Sequence, residues 1–164
     1  MIAALKELIA ALREELQHYG EMLARLDEQQ DLVMRREADP LLQCVAAIQQ
    51  QGVAIQTARA TREERQMAVA RELGLKETEF AQMIPRLPEE YRPLLEALVQ
   101  ENNELLLRIQ RRARQNHLLL TQSVELMHRF ITSLFPTVET KVYNPGGQVF
   151  QRTTPSISLY EAVG

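Results

Sequence analysis

Two Glu-x-x-His pairs, Glu15 with His18 and Glu125 with His128, come nearest in this chain to residue types and spacing that could do chemistry. On facing helices, such pairs together with two further glutamates hold a di-iron centre inside a four-helix bundle. The surrounding pattern opposes that use here. Leu16 and Tyr19 take core positions of the first helical stretch, which puts His18 on its solvent side. In the last stretch the apolar stripe passes through Met127, leaving Glu125 and His128 on opposite flanks. Only three long helical stretches are legible where that site needs four. Both pairs are therefore read as solvated side chains, and no metal or other cofactor is expected.

The remaining reactive types are equally unpromising for catalysis. Arg108, Arg111, Arg112 and Arg114 form a basic cluster with few aromatics nearby for base stacking, so a solvated face or interhelical ion pairs is the favoured reading over an anionic partner. Cys44 reads as a small core residue. Gly146-Gly147 has no following helix and so lacks the context of a phosphate loop. With no nucleophile beside a base, the chain is expected not to be an enzyme.

Bulk properties narrow the class. The chain has 164 residues, 45% of them hydrophobic and 25% charged, which suits one soluble domain with a moderate core. Aromatics make up 5% and Trp is absent, so Leu, Ile, Val, Met and Ala must fill that core, as in helical bundles. A formal charge of -3 argues against nucleic acid or an anionic membrane as partner. No apolar run approaches the roughly 20 residues that span a bilayer, and the amphipathic start MIAALKELIAALREEL makes a poor secretory signal. A single cysteine fits a reducing compartment, so the cytoplasm is expected.

The elements follow from periodicity. Ile2, Leu5, Ile9, Leu12, Leu16, Tyr19, Leu23, Leu26 and Val33 keep an unbroken heptad, interrupted once by Gln30. The first helix should end near Glu37, with Asp39 as N-cap of a second helix and Pro40 at its first position. That second helix opens with Leu41, Val45, Ile48 and Ile55 but is weak in the middle, around Gly52. Thr61 and Glu64 have capping-box spacing, which allows a break near Ala60, although a continuous helix is preferred. Leu73-Gly74-Leu75 reads as a glycine C-cap with flanking apolar contacts. A connector with Pro85, Pro88 and Pro93 holds at most a short helix, around Thr78 to Ile84. The third long helix runs from about Pro93 to Leu134, about 60 Å at 1.5 Å per residue. The predicted fold is all-α: an elongated antiparallel hairpin of Ile2–Glu37 and Leu41–Leu73, with the third helix packed along it. The helical domain is expected over 1–135 and an irregular tail over 136–164, with Val142-Tyr143 and Val149-Phe150 as a weak hairpin at most.

The last helix is the most informative. Its stripe runs Leu95, Val99, Leu106, Ile109, Ala113, Leu120, Met127 and Leu134, with Asn102 and Asn116 set into it two heptads apart. An Asn on a buried seam costs stability but fixes register and partner. Leu98, Leu105, Leu118, Leu119, Leu126, Phe130 and Ile131 widen the face beyond what packing on a hairpin needs. A second layer of the same chain, an identical chain in a homo-oligomer, or an amphipathic client helix could each cover it. Physics alone leaves these open, and all three mean binding in place of catalysis.

In this order of features the chain resembles the FlgN family, the cytoplasmic export chaperones for the hook–filament junction proteins of the bacterial flagellum. The resemblance runs from the heptad first helix through Arg65, Glu72-Leu73-Gly74-Leu75, Asn102 and Asn116 with Leu105-Leu106 and Leu119-Leu120, to Tyr143 and Gly147-Gln148. It implies that the late part of the last helix binds C-terminal helical segments of those clients, which maps to Leu105, Leu106, Ile109, Leu119, Leu120, Val124, Met127 and Ile131. It also implies that Tyr143, with Gly147, docks on the cytoplasmic domain of the export gate. Between these two residues the chain carries Asn144-Pro145-Gly146, stiffer than a simple polar turn.

Overall fold

The computed structural model describes residues 1–134, and every element in that range is helical. In chain order these are α1 (Ile2–Arg35), α2 (Ala38–Glu72), the single-turn α3 (Phe80–Met83) with a 3-10 turn over Ile84–Arg86, and α4 (Arg92–Leu134). The fold is all-α, as the periodicity requires, with four α-helices of 34, 35, 4 and 43 residues. The chain divides into two compact units, Met1–Val124 and Glu125–Gly164. The tail features expected beyond Leu134 lie outside the described residues, Tyr143 and Gly147 among them.

Inside the first unit α1 and α2 form an antiparallel hairpin. Arg65 pairs with Glu7, Arg62 with Glu15, Gln51 with the carbonyl of His18, and the Cys44 thiol with the carbonyl of Arg25. α4 runs parallel to α1 at a constant offset, since Asn102 donates to the Leu12 carbonyl and Asn116 to the Leu26 carbonyl. The result is an up-down-up arrangement of three long helices. Its driest core lies where the connector closes the bundle: Leu5, Leu8, Val69, Met83, Leu87 and Leu95 are almost wholly buried.

Two helix ends reverse the chain with the same hydrogen bonds. After α2, Gly74 takes φ 67°, its N–H reaches the Arg71 carbonyl, and the Leu75 N–H reaches Ala70. Leu73 and Leu75 pack against the core, as expected of that cap. After α1 the pattern repeats with Arg36 at φ 59°, its N–H on Val33 and that of Glu37 on Leu32. An arginine thus does there what glycine does at the other end, at a steric cost.

Several expectations need correcting. Asp39 is not the N-cap of α2: Glu37 takes that place in extended conformation and Ala38 opens the helix. Pro40 is tolerated within the first turn because N–H groups there have no carbonyl to reach. α2 is continuous past Ala60, as preferred from the sequence, and the Thr61 hydroxyl bonds the Thr57 carbonyl one turn back. Ile2 is exposed, while Leu8, Glu15, Met22 and Gln29, seven residues apart, are buried. α1 has neighbours on two sides, so one heptad stripe could not describe its burial.

Candidate interaction surface

The inner face of α4 in the first unit is a buried seam. Leu95, Leu98, Asn102 and Asn116 are buried, and Val99, Leu105, Leu106, Ile109, Leu119 and Leu120 are half-buried between them. Ala113, expected on this seam, is exposed, and the half-buried Arg112 beside it bonds Asp27 at 2.7 Å and also Gln30. Asn102 Nδ2 donates to the carbonyls of Leu12 (3.2 Å) and Leu98 (2.9 Å). Asn116 Nδ2 donates to the Leu26 carbonyl (2.7 Å) and to Gln29 Oε1 (2.9 Å). Both Oδ1 atoms are buried and find no partner among the described residues. Each amide has been placed nitrogen-first against acceptors, so flipping it would set oxygen against oxygen.

Burial along this face stops after Leu120. Val124, which closes the first unit, is exposed. In the second unit, all described residues are exposed, including Leu126 (63%), Met127 (60%), Phe130 (59%), Ile131 (50%) and Leu134 (56%). By helical spacing Met127, Phe130, Ile131 and Leu134 continue the line through Asn116 and Leu120. Each such side chain forgoes about 1.5–3 kcal/mol of burial. A contiguous run of them marks an interaction surface far more than scattered exposure does.

A second, polar feature was missed in the sequence. Glu15, expected in solvent, is 3% exposed. The Tyr19 hydroxyl donates to it at 2.7 Å and Arg62 Nε at 3.0 Å, with Arg59 at 3.9 Å. Arg62 also bonds Gln66 at 2.7 Å, and Gln66 holds the Thr78 carbonyl of the connector. Burial, then the hydrogen bond and charge of Glu15, push the Tyr19 phenol up to about 12. The network lines a cleft of about 290 Å³ with Leu12, Phe80, Val99, Asn102 and Leu106. His18 is half-buried and bonded by Gln51 at 3.2 Å, so the Glu15–His18 pair serves helix packing. The signal that could have revealed Glu15 is its seven-residue spacing from Leu8 and Met22.

A family model for FlgN protein matches residues 1–149. The chain belongs to the FlgN family. No curated protein and no solved structure matches it. FlgN is a family of flagellar export chaperones, not of enzymes, and a binding surface is what the geometry of α4 offers. No helix among the described residues is long and apolar enough to cross a membrane.

The residues that the family resemblance assigns to client binding divide by exposure. Leu105, Leu106, Ile109, Leu119 and Leu120 are half-buried in the first unit, while Val124, Met127 and Ile131 are exposed. Leu126, Phe130 and Leu134 had not been assigned to a client, although they are as accessible as Met127. Glu125 and His128 are exposed among them.

Proposed function

We propose that this FlgN-family chain is a cytoplasmic, ATP-independent chaperone of type III flagellar export. It binds the amphipathic C-terminal segments of hook–filament junction proteins, keeps them from assembling early and delivers them to the export gate. One observation carries the reading: a helix face with core-like spacing stays exposed from Val124 to Leu134. An amphipathic client helix would lay its apolar side on Met127, Phe130, Ile131 and Leu134. Of the residues proposed for the client, Val124, Met127 and Ile131 are the exposed ones and would meet it first. Asn102 and Asn116 hold the register of the helix that presents it. Tyr143 and Gly147 would engage the cytoplasmic domain of the gate, a role that suits an aromatic ring with a polar tip.

Co-expression with a hook–filament junction protein, followed by affinity capture of this chain, tests the first step. A stoichiometric complex is expected. A chain that only homo-oligomerises and never takes up a client would favour a structural coiled-coil role instead. For the second step, Tyr143→Ala should leave the client complex intact and weaken capture of the gate domain. Equal gate capture by both proteins would remove Tyr143 from that role.

A further inference from the structure

Interhelical ion pairs account for only one arginine of the α4 cluster. Arg112 is held by Asp27, whereas among the described residues Arg108, Arg111 and Arg114 make no ion pair. These three are exposed and lie three residues apart, so each stands beside the next on the helix surface, where like charges repel. The chain has 22 acidic residues against 19 basic ones, so the repulsion is not for want of carboxylates. Two of the three belong to a longer line. Leu107, Arg111, Arg114 and Leu118 follow one another at spacings of four, three and four, the pattern of a coiled-coil seam. Leu107 is 52% exposed and Leu118 61%. By helical spacing the line lies opposite Asn102 and Asn116, on the side of α4 away from α1, and it spans about 16 Å.

We propose that this outer line docks an acidic amphipathic helix of another protein. Charge and apolar character together select that occupant. A bare polyanion such as nucleic acid would neutralise the guanidinium groups but set phosphates against Leu107 and Leu118. A neutral helix would cover the leucines but strip water from two guanidinium groups without pairing them. A helix with leucine-like side chains at core spacing and carboxylates beside them meets both needs: its apolar residues pack on Leu107 and Leu118, and its carboxylates take the arginines. The cluster is all arginine and no lysine. The guanidinium group is the more weakly hydrated cation and pairs with a carboxylate through two parallel N–H bonds. The line lies wholly in the first unit and shares no residue with the client face, so it does not depend on the function proposed above.

Fluorescence anisotropy with the full chain tests this, using a labelled synthetic helix of about three heptads with leucine at its core positions and glutamate flanking them. Binding is expected, with a dissociation constant that rises at least about tenfold when salt goes from about 0.05 M to about 0.5 M. Arg111→Glu with Arg114→Glu should abolish it at unchanged helicity. That variant should instead take up the same peptide with lysine in place of glutamate, which a misfolded chain could not do. Leu107→Ser with Leu118→Ser should weaken binding about tenfold or more, while Met127→Asp with Ile131→Asp should leave it as in the parent. No binding by the parent, no rescue by the lysine peptide, or loss of binding with Met127 and Ile131 would each overturn the proposal. Equal binding of a sequence-scrambled peptide or of a single-stranded oligonucleotide would reduce the line to a general anion surface and overturn it too. So would a parent dimer that Arg111→Glu with Arg114→Glu dissociates, since a second copy would then be the occupant.

Discussion

Within α4, residues 95–120 and residues 124–134 share one apolar spacing. In the first stretch the face is buried or half-buried, interrupted by two amides that bond main-chain carbonyls of α1. In the second stretch six large apolar side chains on a single helix all face solvent. In the first stretch α1 lies alongside, bonded at Leu12 and Leu26. Periodicity determines that a helix has a greasy side, while burial follows only where another element is packed against it.

The largest expected effect separates the two stretches directly. Leu95→Ala, at a site with no solvent exposure, should cost about 2–5 kcal/mol in urea unfolding. Met127→Ala should stay within about 0.5 kcal/mol. A comparable loss at Met127 would mean that its face is core and would break the comparison.

Next comes the polar network that ties α1 to α2. Arg62→Ala leaves the buried Glu15 with the Tyr19 hydroxyl and, as its one cation, the distant Arg59, and a loss of about 3 kcal/mol is expected from the poorly compensated charge. The same network gives a pH test. The Tyr19 phenol titrates at about 12 in the folded protein against 10.0 ordinarily. Its protonated form is therefore favoured by folding, with the full stabilisation present below about pH 10 and lost as pH rises through about 12. Thermal melts should show that alkaline loss in the parent protein and less of it in Tyr19→Phe.

Smaller effects probe the seam and the turn. Asn116→Leu removes both a donor and an orphaned acceptor, so stability should change by only about 1 kcal/mol in either direction. A loss well beyond that would show that the amide holds α4 down by energy and not only by register. Arg36→Gly should stabilise by about 0.5–1 kcal/mol, because Gly accepts the left-handed conformation that Gly74 already uses.

Much of this was legible in the residues. Heptads gave the helices, Gly74 marked the end of α2, and Asn102 with Asn116 lay on the seam where spacing put them. What escaped has physical reasons. The first turn was misplaced because Asp39-Pro40 is a strong local signal, while the left-handed Arg36 carries none. Glu15 was assigned to solvent because an isolated carboxylate belongs there; its partners Arg59 and Arg62 are more than forty residues away. Phe130 and Leu126 widen the apolar face in the sequence, but nothing local says which part of that face is buried.

Titration calorimetry with a C-terminal helical segment of a hook–filament junction protein tests the central claim most directly, comparing the parent chain with Met127→Asp/Ile131→Asp. A carboxylate left facing apolar client side chains loses its water without gaining a partner. The account predicts binding weakened by about 100-fold or more, roughly 2.7 kcal/mol, with helicity and melting temperature unchanged. Equal affinity in the two proteins, or a double variant that unfolds, would contradict it.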